Sequence, residues 1–168
     1  REKAPAIDEL YVDVGLSQQQ AQQEIPVGTP MVFRPSFLQL GQHQVCSKAM
    51  DDRSCFVALL RAAQLLRAQP LEVDVYFMGS VREETSSAGA ITAVQALAPD
   101  WCVAVDVTHG STPDSPKGQS FALGSGPAVG IGPNMTRWMS QRLLDQAQAL
   151  GFPIPLEVMG GSSGTHAW

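Results

Sequence analysis

The chain has 168 residues, 44% of them hydrophobic, so it can bury one core with at most a small second module, and it is not a disordered segment. Its net charge of −5, a pI near 5.0 and the absence of any lysine or arginine run exclude nucleic acid and anionic membrane as favoured partners. A small molecule or a peptide fits better.

No apolar run reaches the roughly 20 residues of a membrane span. The cysteines, Cys46, Cys55 and Cys102, form no CxxC, which fits buried thiols in a reducing compartment, and so a cytoplasmic location, better than a disulfide framework. The chain starts at Arg1 and stops at Trp168 inside a loop-like stretch, so it is expected to be a piece of something longer.

Residues 1–41 carry short β-like pieces at 10–14 and 31–37 around a polar segment, 17–23, for which Ser17 is a plausible N-cap. Pro26, Gly28, Thr29 and Pro30 mark a turn. This part reads as the tail of a small β-rich domain. Residues 42–168 then read as an incomplete α/β catalytic domain. After a short extended piece through Val45, Phe56, Leu59, Leu60, Ala63 and Leu66 recur at helical spacing. Val57, Ala58 and Ala62 fill the other faces, which predicts a largely buried helix. Asp51 and Asp52 open it. Acids there gain about 0.3–1 kcal/mol from the helix dipole, which is the bland explanation for them.

Pro70 closes that helix, and Val73, Val75, Phe77 and Met78 predict a strand over 73–78 that loosens at Gly79 and Ser80 and delivers two adjacent acids, Glu83 and Glu84. A helix follows over 87–98, ended by Pro99 and Asp100. The next predicted strand, 101–107 (WCVAVDV), is apolar except for Asp106, whose charge would cost several kcal/mol there if unpaired. Residues 108–120 read as a loop. The glycines Gly124, Gly126, Gly130 and Gly132 fit neither GxGxxG after a clear strand nor GxxxxGK[ST], so they signal no phosphate cradle. Asn134 is expected to cap a last helix over 135–150, whose apolar stripe Met139, Leu143, Ala147 and Leu150 is core, with Gly151 ending it. A strand over 154–158 completes the order. Alternating strands and helices from 42 to 158 predict an α/β fold with a mainly parallel sheet flanked by helices.

Asp51, Glu83, Glu84 and Asp106 each fall at or near a strand-to-loop junction, and in a doubly wound sheet such junctions converge on one edge. Neighbouring carboxylates repel, so four in one place require cations. A pair of divalent metals bridged by one carboxylate and one water would satisfy them and make a nucleophile at neutral pH. Such a site also needs an acid free of metal, to take the water's proton and return it to a leaving amine. Adjacent glutamates can divide those jobs.

The pieces Ala49-Met50-Asp51-Asp52-Arg53, Val81-Arg82-Glu83-Glu84 followed by Ala88-Gly89-Ala90, Val105-Asp106-Val107-Thr108-His109, Gly132-Pro133-Asn134 and Gly164-Thr165-His166-Ala167 appear in that order. In order and spacing they resemble the glutamyl-aminopeptidase and tetrahedral-aminopeptidase family of dinuclear metallopeptidases, once labelled cellulase M. The similarity covers nearly the whole chain, including LYVDVG at 10–15, which resembles the exit from that family's inserted β domain. The resemblance implies a zinc-aminopeptidase-like α/β domain with an inserted β domain, peptide substrates, two divalent metal ions (zinc or cobalt), and self-association into dimers or hollow dodecamers. It also implies roles: Asp51 bridges the metals, Glu84 binds one and Asp106 the other, and Glu83 is the general base acting on a metal-bridging water. Asp52, after an unusual peptide bond, matches a second acid that is not a ligand.

Several positions depart from the family pattern. Arg82 stands where Gln is usual, Thr85-Ser86 where Val-Gly is, and His166 where Asp is. Two further histidine ligands of the family lie in regions this chain lacks, so the chain alone is expected to bind metal poorly and to be inactive. His166 is a candidate substitute ligand, though a loop histidine is more often solvated. His109 reads as structural and His43 as a surface residue. The rival readings are a family member that keeps fold and assembly without turnover, and a serine hydrolase using Ser162 in Gly160-Gly161-Ser162-Ser163-Gly164. The second lacks the helix and the downstream acid that a nucleophile elbow needs. Cys55 within an apolar helix is a poor nucleophile, and adjacent glutamates do not suit a glycosidase, whose two carboxyls flank the bond about 5 Å or more apart.

Overall fold

Local capping signals set where the helices begin and end. In the computed structural model, which describes residues 4–115, 118–161 and 164–165, helix α1 (Gln18–Glu24) starts at Ser17. The Gln20 N–H donates to Ser17 Oγ at 3.4 Å and the Ser17 N–H donates to Gln20 Oε1 at 3.1 Å, a reciprocal capping box. Helix α5 (Arg137–Ala149) ends as the glycine after it predicts. Gly151 takes φ +72°, its N–H donates to the Gln148 carbonyl at 3.1 Å, and the Phe152 N–H reaches the Ala147 carbonyl at 2.9 Å. Those two bonds are the Schellman pair. The start of α5 differs from expectation: Thr136, not Asn134, is the N-cap residue, and its side chain makes no capping bond.

Helix α2 (Met50–Leu66) follows Ala49, which sits at φ +60°, and its two aspartates are non-helical and joined by a cis peptide bond. The regular turn begins only after Asp52, whose Oδ1 accepts the Cys55 N–H at 3.2 Å in the manner of an N-cap. Helices α3 (Glu83–Ser86) and α4 (Ala88–Leu97) are likewise entered from left-handed residues, Arg82 at φ +60° and Ser87 at φ +52°. Gly89 donates to the Val81 carbonyl at 3.1 Å, and a Cβ there would lie 2.6 Å from the Val81 backbone N and O. Glycine is therefore required where α4 crosses the chain leading into α3.

Strands β1 (Phe37–Leu40) and β2 (Gln44–Ser47) form an antiparallel hairpin, with Phe37 opposite Ser47 and Leu40 opposite Gln44. Strands β3 (Val129–Ile131) and β4 (Leu156–Val158) pair in parallel, with Val129 opposite Leu156, and α5 lies between them in sequence and packs on β3. Ser140 Oγ donates to the Gly130 carbonyl at 3.0 Å, and Trp138 meets Trp101 edge-on with ring centroids 5.4 Å apart.

The chain is thus α/β, and among the described residues its sheets are two pairs of strands, so the expected mainly parallel sheet is not confirmed. Residues 73–78 and 101–107, expected as strands, run without a ladder, as do 10–14 and 31–36. β-Branched runs favour an extended backbone, yet a strand exists only where a neighbour's N–H and C=O groups stand in register. Burial departs from expectation for a related reason. Ala90, Val129 and Ala147 are the buried apolar residues among those described, and α2 buries none, with Phe56 48% and Val57 63% exposed. The α2 spacing predicted an apolar helix correctly, but no described element covers its faces closely. The thiols also depart from expectation: Cys46 and Cys102 are exposed and Cys55 is half-buried. No helix among the described residues is long and apolar enough to cross a membrane.

The acidic cleft as candidate active site

The irregular entries to α2 and α3 place the acids. A cleft of about 460 Å³ is lined by Asp51, Asp52 and Arg53 from the start of α2, Glu83 and Glu84 from α3, and Asp106 from the extended segment 101–107. Phe56, Met78 and Ser80 complete one wall. The four candidate acids therefore line a common space: Glu83 and Asp106 half-buried, Asp51 and Glu84 exposed.

The electrostatics follow from that crowding. Burial pushes the Asp106 carboxyl above its ordinary value; the Val107 N–H, donating to Asp106 Oδ1 at 2.8 Å, opposes the shift, and the charges of Asp52, Asp51 and Glu83 add to it. Carboxylates that raise one another's affinity for a proton are also those that a cation would relieve. The donor set, oxygen from several acids in one cleft, suits hard or borderline divalent ions. It is not a closed ligand shell. Among the described residues no group of three or more His, Cys, Asp or Glu is placed to hold a metal ion.

Cys55 is a feature that the sequence did not reveal as part of this neighbourhood. Its thiol is pushed up to about 12, first by burial, then by a hydrogen bond to Asp52 and the charges of Asp52 and Asp106. A thiol held that far above its ordinary value is scarcely ionised near neutral pH, which disfavours Cys55 as a nucleophile. In the metal-free chain, iodoacetamide followed by mass spectrometry should label exposed Cys46 and Cys102 at least about 100-fold faster than Cys55. Asp52→Asn should speed the labelling of Cys55, and equal rates at all three thiols would refute this account of the cleft.

His43 lies exposed in the β1–β2 turn, and His109 is also exposed, its backbone carbonyl accepting from the Phe121 N–H at 2.9 Å. Ser162 and His166 lie outside the described residues.

Comparison with known proteins gives a consistent result. The family model described as M42 glutamyl aminopeptidase matches residues 1–168. A lysyl aminopeptidase of Pyrococcus furiosus is 34% identical over 163 residues, covering 95% of this chain and 46% of its own length. A protein of Escherichia coli K12 named "Putative aminopeptidase SgcX" is 35% identical over 118 residues, 68% of this chain and 31% of its own. Another of Acetivibrio thermocellus, named "Putative aminopeptidase", is 31% identical over 163 residues, 93% of this chain and 48% of its own. The chain thus spans less than half the length of these curated relatives.

Proposed function

The chain belongs to the M42 glutamyl aminopeptidase family, and we propose from that membership that it supplies part of the active site of a metal-dependent aminopeptidase, which removes the N-terminal residue of peptides. The observation that carries this is the shared cleft of Asp51, Glu83, Glu84 and Asp106. In this proposal Asp51, Glu84 and Asp106 would hold two divalent ions, zinc or cobalt, with Asp51 shared between them. When bound, the ions supply Lewis acidity and a water activated at neutral pH. Glu83, half-buried and not a ligand, takes the proton from the attacking water and passes it to the departing amine. Asp52 caps α2 and holds the Cys55 N–H, which fixes the bend on which Asp51 sits.

The same proposal carries the division into a β-rich tail, 1–41, and an α/β catalytic part, 42–168, as well as a cytoplasmic location and assembly into dimers or dodecamers. Size-exclusion chromatography with light scattering reads the assembly directly. For the chemistry, aminoacyl p-nitroanilides are offered to the polypeptide that carries this chain. Turnover should vanish with a chelator and return on adding zinc or cobalt. Undiminished turnover under chelation, with a serine-reactive probe on Ser162, would favour the serine hydrolase instead.

One observation favours a second reading, that of a member retaining the fold without turnover. The described acids do not close around a single ion, and Arg82 sets a cation next to Glu83 in the chain. Metal bound without turnover of any peptide would establish it.

A further inference from the structure

We propose that the hydrogen bond from Thr108 to Glu157 is a clasp that positions Asp106 in the acidic cleft, which makes Thr108 and Glu157 positioning residues of that site. The clasp rests on the reading of the cleft given above and extends it to two residues that are not among the cleft's lining.

Asp106 stands on a stretch with little backbone support. Between Ala98, whose N–H closes α4 on the Val94 carbonyl at 2.8 Å, and His109, whose carbonyl accepts the Phe121 N–H at 2.9 Å, the chain makes no backbone–backbone hydrogen bond among the described residues. A strand inside a sheet is fixed along its length by its neighbours' N–H and C=O groups. A stretch without a ladder is fixed only where its side chains catch something. The Asp106 carboxylate accepts from the Val107 N–H at 2.8 Å, a bond that orients it against its own backbone but does not tie that backbone to the rest of the molecule.

Two side-chain contacts, one toward each end, join the stretch to a single unit. Trp101 meets Trp138 of α5 edge-on at 5.4 Å, and Thr108 Oγ1 donates to Oε1 of Glu157 on β4 at 2.8 Å, across 49 residues of chain. The unit is itself cross-tied. Strands β3 and β4 pair with Gly130 opposite Glu157, the Met159 N–H donates to the Ile131 carbonyl at 2.8 Å, and Ser140 of α5 donates to the Gly130 carbonyl at 3.0 Å. Glu157, half-buried in the middle of β4, is therefore a fixed point. Asp106 lies two residues before Thr108, at most about 7 Å of extended chain, and farther from Trp101. The clasp is thus the nearer anchor, and releasing it lets the carboxylate drift by the ångström or so that can cost an active site about 10²-fold.

The chemistry of the bond says which substitutions matter. Thr108→Val keeps the branched shape and removes the donor, whereas Thr108→Ser keeps the donor. Glu157→Met removes the acceptor, whereas Glu157→Gln keeps one. Thr108 is exposed and Glu157 only half-buried, so water can serve whichever partner is left and the fold should survive.

The test uses the polypeptide that carries this chain, with zinc as the probe ion. In Thr108→Val and Glu157→Met, the zinc dissociation constant, read by competition with a chromophoric chelator, should rise about tenfold or more, as when a ligand loses the group that orients it. In the metal-free protein, hydrogen exchange of the Val107 amide should quicken about tenfold while the amides of α5 keep their rates. Thr108→Ser and Glu157→Gln should restore both readings, and the kcat that Thr108→Val loses at limiting zinc should return at saturating zinc. Unchanged zinc affinity, an unchanged Val107 rate, or a serine variant that restores neither would overturn the clasp. Equal quickening at Val107 and in α5 would also overturn it, since that is general loosening. Should the parent protein bind no zinc and turn over no peptide, the aminopeptidase reading fails separately, and Val107 exchange with its rescue by serine decides the clasp.

Discussion

Replacing Glu83 by glutamine should lower kcat of the metal-loaded enzyme by about 10²–10⁴-fold, the usual worth of a positioned general base, while KM stays within a few-fold and metal content is unchanged. Glutamine keeps the shape of the side chain and its hydrogen-bonding reach but cannot accept the water's proton as a carboxylate does. The neighbouring replacement, Glu84→Gln, should behave differently, weakening metal binding first and turnover as a consequence. The contrast follows from where the two residues stand. Both leave α3 one after the other, yet Glu83 is half-buried and Glu84 exposed, so the two side chains occupy different surroundings in one cleft. Steady-state kinetics together with metal analysis on both variants read the difference. A Glu83→Gln enzyme with undiminished kcat would remove Glu83 as base, and equal metal loss in both would deny the division of labour.

Arg82 gives that comparison a second use. It enters α3 at φ +60°, a conformation uncommon for a side-chain-bearing residue and costing of order 1 kcal/mol. The backbone there turns sharply, and the turn is what directs Glu83 and Glu84 into the cleft with Asp51 and Asp106. Ala49, at φ +60° before the aspartates, has the same effect at the entry to α2. Acids on two separate helices are thus aimed by two left-handed residues, and neither conformation is apparent from residue type, since alanine and arginine are ordinary helix formers.

This is where the sequence stops being informative. Helix α1, with its Ser17–Gln20 box, and the Gly151 ending of α5 were legible because each depends on residues within one turn. Asp51, Glu83, Glu84 and Asp106 do line one cleft, but the sheet edge expected to gather them is absent among the described residues, where the segments leading to Glu83 and carrying Asp106 have no ladder. Residues 73–78 and 101–107 have strand-like composition but no ladder, because composition reports an extended preference and not the presence of a partner. The settings of Cys55 and Glu157 left no signal. Their meaning comes from segments brought together across the chain: Thr108 meets Glu157 49 residues on, and no local spacing encodes that.

The glycines between 124 and 132 show the same limit and give the second large effect. Gly124→Ala and Gly126→Ala put a methyl on residues of similar backbone, φ +82° and φ +91°, and each should lose about 1 kcal/mol from the left-handed conformation alone. Around Gly124 nothing lies within 4 Å, whereas a Cβ on Gly126 would collide with the Pro153 carbonyl oxygen. A backbone oxygen cannot swing aside as a side-chain tip does, so the second substitution should cost a further 1–3 kcal/mol, roughly, as overpacking. Urea unfolding should place the Gly126→Ala midpoint well below that of Gly124→Ala with the slope unchanged; coincident midpoints would show that the approach of these two segments is not tight. The expected damage extends into the sheet, because the Pro155 carbonyl accepts the Val129 N–H at 3.0 Å, and the chain from Pro153 through Pro155 leads into β4 and Glu157. Forcing Pro153 away from Gly126 loosens the β3–β4 pair at the end where it starts. A run of glycines that offers no cradle to phosphate is therefore explained by backbone contact: it lets two strands close, and that closure sets Glu157 and Met159 opposite Gly130.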